Sequence, residues 1–308
     1  MKFKNRQWMQ LFIGLIIVIF TIAYWLNHTP SNKKHLYLTS DIHLSSPKGR
    51  WPDKTNRYRR YIEAIENPPE IIFQIGDFVD NVVPVESGVY RGGRDHWLEE
   101  YEIYKAIHKN LTNNKVQILH SYGTGHDFWS EDSLKEAETI TGIKRKGITK
   151  WGRITLAWIT TWQGSFSQDG PYDPVMEIEE YEWLSQVLEK NKNIILLFHV
   201  PIKTPESIKH SEFGNGRDLT IPITDPLYEV ISKYKKKIVL IVNGHIHKPL
   251  RSEYEDIPVY LCPFTPSGCI CEIVQSTDDI EIKPKNCGLE SEIISLITYQ
   301  APTIHTSG

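Results

Sequence analysis

The sequence predicts a layered α/β protein. Six apolar runs of strand length are rich in Ile, Leu and Val, a composition typical of strands that are covered on both faces. Longer amphipathic stretches separate these runs, and the alternation indicates helices packed on a sheet. With 308 residues, of which 40% are hydrophobic and 11% aromatic, the chain is long enough to bury a substantial core.

The predicted elements follow one another along the chain after residue 34. Strands are expected at residues 35–41, 71–77, 115–122, 153–162, 193–199 and 237–245, with shorter ones at 257–262 and 269–275. Helices are expected at 54–66, 94–109, 130–140, 175–190 and 225–237. Ser130 in the third of these and Asp225 followed by Pro226 in the last are typical of helix starts. We find no internal repeat or linker in this sequence, so we expect one domain over residues 35–285 and a C-terminal extension over 286–308.

The first 30 residues form a separate segment with a basic start and a long apolar run. Three basic residues (Lys2, Lys4 and Arg6) precede an uncharged stretch from Trp8 to Leu26. At about 1.5 Å per residue, this stretch nearly spans a hydrocarbon core of about 30 Å. We therefore expect a single transmembrane helix within residues 1–30, with the N-terminus in the cytoplasm and the rest of the chain outside it. The alternatives are a buried helix or a cleaved signal peptide, which would make the protein secreted, although the bulky residues at 24–26 argue against cleavage.

Charge and cysteine content exclude several classes of protein. The net charge is −3, and it is −6 once the three basic residues of the N-terminal tip are left out, so we expect no nucleic-acid partner.

Four cysteines are too few for a disulfide scaffold, and their spacing argues against a zinc site. Outside the cytoplasm, Cys287 is the expected disulfide partner for one of Cys262, Cys269 and Cys271. The alternative is that these cysteines are small buried apolar residues.

Polar side chains follow five of the predicted strands at the point where each strand ends. These residues are Asp41 and His43, Asp77 and Asp80, His126 and Asp127, His199, and finally His245 and His247. Because open α/β sheets bind ligands at the carboxyl ends of their strands, we expect these side chains to meet. One such residue alone is more often a structural histidine or a helix cap. The complete set indicates a site for Zn, Fe or Mn.

The order of these motifs resembles that of a known family. The chain contains D-x-H at 41–43, G-D-x-x-D at 76–80, His-Asp at 126–127, H-x-P at 199–201 and G-H-x-H at 244–247. This order looks like that of the calcineurin-like metallophosphoesterase superfamily over roughly residues 35–270. The resemblance implies a four-layer αββα sandwich with two metal ions at the carboxyl edge of its sheets.

The resemblance also implies a role for each residue of these motifs. One metal ion would take Asp41, His43 and His247, the other would take His199 and His245, and Asp77 would bridge the two. His126 would lie beside the scissile group, oriented by Asp127, and Asp80 would support the site from outside the metal ligands. The expected cofactors are two divalent or trivalent ions (Mn, Fe or Zn). The implied activity is hydrolysis of a phosphomonoester or phosphodiester by a hydroxide that bridges the two ions.

Two positions depart from the family pattern. The third motif normally has an Asn that binds the second metal, but this chain has Gly125, which leaves water or the Thr124 hydroxyl to fill the gap. A noncatalytic or weakly active metal-binding module is therefore the alternative to an active phosphoesterase. The second motif is followed by Asn81 and Val82, whereas the protein serine/threonine phosphatases of the superfamily have Arg-Gly there. A close relationship to those phosphatases is not expected.

Two long segments near the strand ends, residues 81–97 and 202–224, are expected to select the substrate. Their candidate substrate contacts are Arg91, Arg94, Lys203, His210 and Arg217. A cation near the metal ions can hold a second phosphate or a headgroup, and ordinary solvated loop charges are the alternative. We expect the substrate to be a phosphorylated small molecule or a lipid.

Overall fold

The structure is a computed structural model that describes residue 16 and residues 33–49, 51–85, 88–129, 133–161, 176–211, 219–285 and 292–295. The chain divides into two units, Met1–Lys33 and Lys34–Gly308, and every described strand belongs to the second. Within the described residues, no helix is both long enough and apolar enough to cross a membrane. The predicted transmembrane helix falls outside these residues except for Ile16, so it stays a prediction.

The described residues contain two six-stranded sheets and a separate hairpin. The strands are β1 (Lys34–Ser40), β2 (Ile71–Ile75), β3 (Val82–Val85), β4 (Gly88–Arg91), β5 (Gln117–Ser121), β6 (Lys146–Trp151), β7 (Ile154–Ile159), β8 (Ile194–Leu197), β9 (Ile238–Asn243), β10 (Leu250–Tyr254), β11 (Ile257–Leu261), β12 (Ile270–Gln275), β13 (Asp279–Lys285) and β14 (Glu292–Ser295). Sheet 1 has the order β14-β13-β12-β1-β2-β5, sheet 2 has the order β10-β11-β9-β8-β7-β6, and β3 pairs with β4. Strands β1, β2 and β5 are parallel in sheet 1, as are β7, β8, β9 and β11 in sheet 2. Each sheet therefore has a parallel region whose carboxyl ends can carry a site.

The helices connect the strands within each half of the fold. They are α1 (Pro52–Glu63), α2 (Gly93–Asn113), α3 (Leu134–Thr141), α4 (Ile178–Lys190), α5 (Pro205–Ser211) and α6 (Pro226–Tyr234). The predicted start of the last helix is confirmed, because the Asp225 carboxylate caps α6 by accepting a hydrogen bond from the Leu227 amide at 2.8 Å. The predicted start at Ser130 lies outside the described residues, and α3 begins at Leu134.

The two sheets pack face to face, and helices cover their outer faces. One core cluster joins Leu36, Leu38 and Phe73 of sheet 1 to Leu156, Ile195 and Leu240 of sheet 2. Neighbouring residues of the same strands, such as Tyr37 and Leu196, belong to a second cluster that contains the buried faces of helices. Because side chains alternate along a strand, both faces of each sheet are apolar. The fold is a mixed α/β sandwich of two sheets and helices.

The eight predicted strands and five predicted helices are all present, with ends that differ by a few residues. Strands β6, β10, β13 and β14 and helix α5 were not predicted. Strands β6 and β10 lie at the edges of sheet 2 and alternate partly buried with exposed residues, so they lack the continuous apolar run of a central strand. The hairpin formed by β3 and β4 was not predicted either; it lies in the segment 81–97, ahead of the predicted helix, which begins at Gly93.

The cysteines divide into bonded and free residues. Cys269 is disulfide-bonded, whereas Cys262 and Cys271 are free thiols that are each 1% exposed. The two free cysteines belong to the core between the sheets, as the alternative of small buried apolar residues predicts. The expected disulfide partner, Cys287, lies outside the described residues.

Candidate metal centre

The strand register brings the predicted motifs to one edge of each sheet. In sheet 1, Ser40 of β1 pairs with Ile75 of β2, which pairs with Ser121 of β5. In sheet 2, Leu197 of β8 pairs with Val242 of β9. In each case the next residues along the chain are those of a predicted motif, so the motifs follow the carboxyl ends of neighbouring parallel strands.

Three groups of Asp and His side chains at this edge have possible ligand atoms within 4.8 Å of one another. The groups are Asp41, His43 and His247; His43, Asp77 and His126; and Asp77, His199 and His245. The first and third groups together contain the six predicted ligands. The second group links them, because it shares His43 with the first and Asp77 with the third.

His199 joins the two sheets at this edge. It follows β8 of sheet 2, yet its Nδ1–H donates to the carbonyl of Ile75 in sheet 1 at 2.7 Å. Its Nε2 lies 3.1 Å from Asp77 Oδ2 and 3.7 Å from Asp41 Oδ1. A hydrogen bond from Nδ1 to a backbone carbonyl leaves Nε2 as the nitrogen that can bind a metal ion.

The segment after β9 approaches Asp41 closely. The His245 amide donates to Asp41 Oδ2 at 3.0 Å, and His247 Nε2 lies 3.1 Å both from Asp41 Oδ1 and from His43 Nε2. A Cβ added at Gly244 would lie 2.0 Å from Ser40 Oγ. Glycine at this position therefore permits the contact between the two sheets.

Five of the six predicted ligands have left-handed backbone conformations. Their φ angles are 50° for Asp41, 46° for His43, 50° for Asp77, 71° for His245 and 61° for His247. Non-glycine residues adopt this region at a cost of order 1–3 kcal/mol each, and such residues cluster at functional sites. The backbone therefore turns sharply after β1, β2 and β9, at residues that carry possible ligands.

The charges of the buried site determine its pKa values. Burial disfavours the ionised carboxylates of Asp41 and Asp77, but neighbouring histidines, above all His199, outweigh burial and lower the pKa of both. Burial also disfavours the His199 imidazolium, but Asp77 and Asp41 outweigh it and raise the pKa of His199 to about 10. Burial, together with the charge on His199, lowers the pKa of His245 to about 3. The aspartates are therefore ionised at neutral pH and His245 is a neutral donor.

This donor set fits two divalent metal ions. Carboxylate oxygen and imidazole nitrogen together suit Zn, Fe or Mn. Asp41, Asp77 and His199 are at most 1% exposed, and buried carboxylates this close together require a compensating positive charge. In the metal-free protein the proton on His199 supplies part of that charge, and a metal ion would replace it.

Asp80 orients His126, and our prediction that Asp127 does so is wrong. The Nδ1–H of His126 donates to the Asp80 carbonyl at 2.8 Å, and the same nitrogen lies 3.5 Å from Asp80 Oδ1. Asp80 Oδ1 also lies 3.6 Å from His43 Nδ1, which fits its predicted supporting position. His126 packs against His43 with ring centroids 4.6 Å apart.

The Asp127 carboxylate instead holds the loop after β2. It accepts hydrogen bonds from the backbone amides of Asp77 at 2.8 Å, Phe78 at 2.9 Å, Val79 at 3.4 Å and Gly123 at 2.6 Å. Both of its oxygens are engaged by backbone N–H groups in this way. Asp127 therefore fixes the backbone around Asp77, one of the predicted ligands.

The third motif supplies a hydroxyl where the family pattern has an amide. Gly125 is buried and begins a three-residue 3₁₀ turn. The Thr124 hydroxyl donates to the Asp77 carboxylate, with Oδ1 at 2.9 Å and Oδ2 at 3.1 Å, and the Thr124 amide donates to Oδ1 at 2.6 Å. Thr124, one of the two groups expected to fill the gap left by Gly125, therefore contacts the predicted bridging ligand.

Three of the five predicted substrate contacts are described, and each of the three has a different partner. The Arg94 guanidinium pairs with Glu136 at 2.8 Å, which indicates an ordinary surface ion pair. The His210 ring lies 3.9 Å from Glu206 and 3.4 Å from the Lys248 ammonium. The Lys203 amide donates to the Tyr228 hydroxyl at 2.7 Å. Arg91 ends β4, its side chain is outside the described atoms, and Arg217 is outside the described residues.

Sequence reasoning missed several residues around the site. Trp51 packs edge-on against His43, and Phe264 packs against His247, with centroids 5.7 and 5.3 Å apart. Buried Glu100 accepts hydrogen bonds from the Ser46 and Asn81 amides at 3.1 and 2.7 Å, so it holds the chain after His43 and after Asp80. These residues lie outside the motifs, and only the folded chain brings them to the site.

Comparison with known proteins identifies the class to which this fold and site belong. The model of the calcineurin-like phosphoesterases matches residues 34–249, and the chain belongs to this family. The fold is similar to that of a dimetal phosphatase from Danio rerio, with a TM-score of 0.60 and 11% identity over 85% of this chain and 98% of that one. It is also similar to a purple acid phosphatase from yellow lupin (Lupinus luteus), with a TM-score of 0.56 and 12% identity over 86% of this chain and 54% of that one.

One curated protein matches a short part of the sequence. The DNA mismatch repair protein MutS of Prochlorococcus marinus (strain NATL1A) is 30% identical over 116 residues. The match covers 34% of this chain and 12% of MutS, so the chain spans about an eighth of that relative. A match of this extent assigns no activity to the chain.

Proposed function

We propose that the protein is a metal-dependent phosphoesterase with a two-metal centre. The observation that carries the proposal is the convergence of three largely buried groups of Asp and His on one edge of the sandwich. His43 and Asp77 each belong to two of these groups, as expected when two ions share a small site. Membership of a phosphoesterase family supports the reaction class.

The first ion would be held by Asp41, His43 and His247, the second by His199 and His245, and Asp77 would bridge them. When bound, two such ions lower the pKa of a water molecule and stabilise negative charge on the phosphoryl oxygens. We propose Mn, Fe or Zn, because these metals accept the mixed oxygen and nitrogen donors of this site.

The side chains around the ions would perform the remaining steps. Hydrolysis forms a P–O bond to a water oxygen and breaks the P–O bond to the alcohol, whose oxygen must gain a proton. His126 would supply that proton from Nε2, because its Nδ1 is occupied by the Asp80 carbonyl. Asp127 and Glu100 would keep the loops that carry Asp77 and His43 in place through their bonds to backbone amides.

The alternative is a metal-binding module with little or no catalytic activity. Gly125 favours this alternative, because it offers no side chain at the position where the family has a metal-binding Asn. The Thr124 hydroxyl favours activity, because it lies at the Asp77 carboxylate beside that position. Metal content and turnover, measured on the same sample, separate the two functions.

The test is hydrolysis of p-nitrophenyl phosphate and bis-p-nitrophenyl phosphate by the full-length protein loaded with Mn, Fe or Zn. We expect two bound ions per chain and turnover that a chelator abolishes. His126→Ala should lower kcat about 100-fold or more and leave the metal content unchanged. His35→Ala, a change to a partly exposed histidine at the opposite end of β1, is the matched control and should retain full activity. Two bound ions without turnover on either ester would favour the noncatalytic module.

We also propose that the protein is anchored in a membrane by residues 1–30, with its catalytic domain outside the cytoplasm. The basic tip and the apolar run support this location. The substrate would then be a phosphorylated small molecule or a lipid met outside the cytoplasm. Protease added to intact cells should digest the domain only if the proposed orientation is correct, and a protein found only in the medium would indicate cleavage of the segment.

A further inference from the structure

A lysine ammonium lies against two aromatic rings beside the candidate metal centre. Lys54 Nζ is 3.0 Å from the ring centroid of Trp51 and 4.4 Å from that of Phe264. Trp51 packs on His43, and Phe264 packs on both His43 and His247. Lys54 is therefore linked through a single aromatic ring to each of two predicted metal ligands.

The two aromatic rings fix the position of the ammonium. The face of an aromatic ring attracts a cation through its quadrupole. Lys54, Trp51 and Phe264 are all half-buried. The ammonium can thus still be reached from solvent. Its partial desolvation strengthens its attraction for an incoming anion.

The place of Lys54 in its helix gives a second, independent observation. Lys54 lies in the first turn of α1, at the positive end of the helix dipole, where a cation is unfavourable. Its amide donates to the Trp51 carbonyl at 3.0 Å, so the start of the helix fixes both residues together. An anion bound here would interact favourably with both the ammonium and the helix end. A residue type that destabilises its own helix is typical of a functional position.

We propose that Lys54 binds a second phosphate group of the substrate, next to the phosphoester at the metal centre. This inference rests on the proposed function, since it places the scissile group at the metals. The substrate class is then a phosphoester that carries two phosphate groups, such as a nucleoside diphosphate or a sugar bisphosphate. Trp51 and Phe264 are positioning residues, which act through Lys54.

Binding of a non-hydrolysable probe tests the inference independently of turnover. Methylene diphosphonate carries two anionic groups and methylphosphonate carries one, and calorimetry on the Mn-loaded full-length protein measures the affinity for each. Lys54→Met keeps the length of the side chain and removes the charge. It should weaken methylene diphosphonate binding about tenfold or more and change methylphosphonate binding less than threefold.

Two further variants serve as controls. Lys54→Arg retains a cation and should keep most of the affinity for methylene diphosphonate. Lys233→Met removes an exposed lysine that lies 4.9 Å from the Tyr234 ring centroid, outside the site, and should change nothing. Metal analysis of each variant confirms that the Mn content is equal.

The outcomes separate this inference from the proposed function. Equal weakening of both probes by Lys54→Met, or no weakening of methylene diphosphonate, would overturn the role of Lys54 whether or not the protein turns over esters. A selective loss of methylene diphosphonate binding would support that role, even in a protein that hydrolyses neither nitrophenyl ester. The absence of turnover on every ester would count against the proposed function alone.

Discussion

Metal binding to the group formed by Asp77, His199 and His245 should depend steeply on pH, because one of these side chains must lose a proton. Asp77 is already ionised at neutral pH, and the pKa of His245 is lowered to about 3, so both are ready to bind. His199 is different, because its pKa is raised to about 10 by Asp77 and Asp41 against the effect of burial. Its Nε2 carries a proton at every pH below about 10, and a metal ion must displace that proton.

The size of the effect follows from this single proton. Below pH 10 the neutral form of His199 falls tenfold for each pH unit, so the apparent affinity of this group for Mn²⁺ should fall about tenfold per unit. Between pH 8 and pH 6 the loss from His199 alone is about 100-fold, equivalent to about 2.7 kcal/mol. Lower pH must weaken metal binding, because it increases the fraction of His199 that carries the competing proton.

Calorimetric titration with Mn²⁺ at pH 6, 7 and 8 measures this dependence. Repeating each titration in two buffers of different ionisation enthalpy counts the protons released. The variant His199→Gln, which carries no ionisable ring, should lose tight binding at this group and should release about one proton fewer than the unaltered chain. An affinity that changes less than threefold from pH 6 to pH 8 would refute the reasoning, as would the absence of proton release.

Three further changes test the site and the fold. Gly125→Asn should strengthen Mn²⁺ binding at the second group about tenfold by adding the amide oxygen of the family pattern; a titration that shows no gain would mean that Thr124 or water already fills this position. Asp225→Ala should lower the free energy of unfolding by about 1–3 kcal/mol, because it removes the cap of α6 and the acceptor of the Tyr181 hydroxyl, and Asp225→Ser should restore much of it in urea denaturation. Phe73→Ala should lower the free energy of unfolding by about 3–5 kcal/mol, because Phe73 is fully buried between the sheets; a loss below 1 kcal/mol in the same assay would contradict that packing.

The central part of the fold could be predicted because its strands are buried on both faces. Runs such as residues 194–198 and 238–242 are continuously apolar, and the polar residues that follow them mark the strand ends. Edge strands give no such pattern, which is why β6 and β10 were not predicted. The hairpin β3–β4 was not predicted either, because Pro84 within β3 and Gly88 in β4 are residues that strands seldom contain.

The site itself could be predicted to the level of its motifs and no further. The motifs name Asp41, Asp77 and the histidines, and the structure brings all of them together. The motifs do not show which neighbour orients a side chain. Asp127 is therefore predicted to orient His126, but its carboxylate accepts hydrogen bonds from backbone amides. Spacing along a chain cannot reveal contacts that form only when separate loops meet, such as Lys54 on Phe264.

The left-handed backbone at the possible ligands links the fold to the function. A β-strand points successive side chains to opposite faces, so a D-x-H pair on a regular strand would place both side chains on one face of the sheet. Positive φ at both Asp41 and His43 turns the chain sharply and directs both side chains into the same site at the strand end. The same geometry recurs at His245 and His247 after β9. Each left-handed residue lowers the stability of the fold, and the apolar side chains buried on both faces of the sheets offset this loss. The two metal ions that these four side chains would help to hold would then find them already in position, so less binding energy would be spent on ordering the loops.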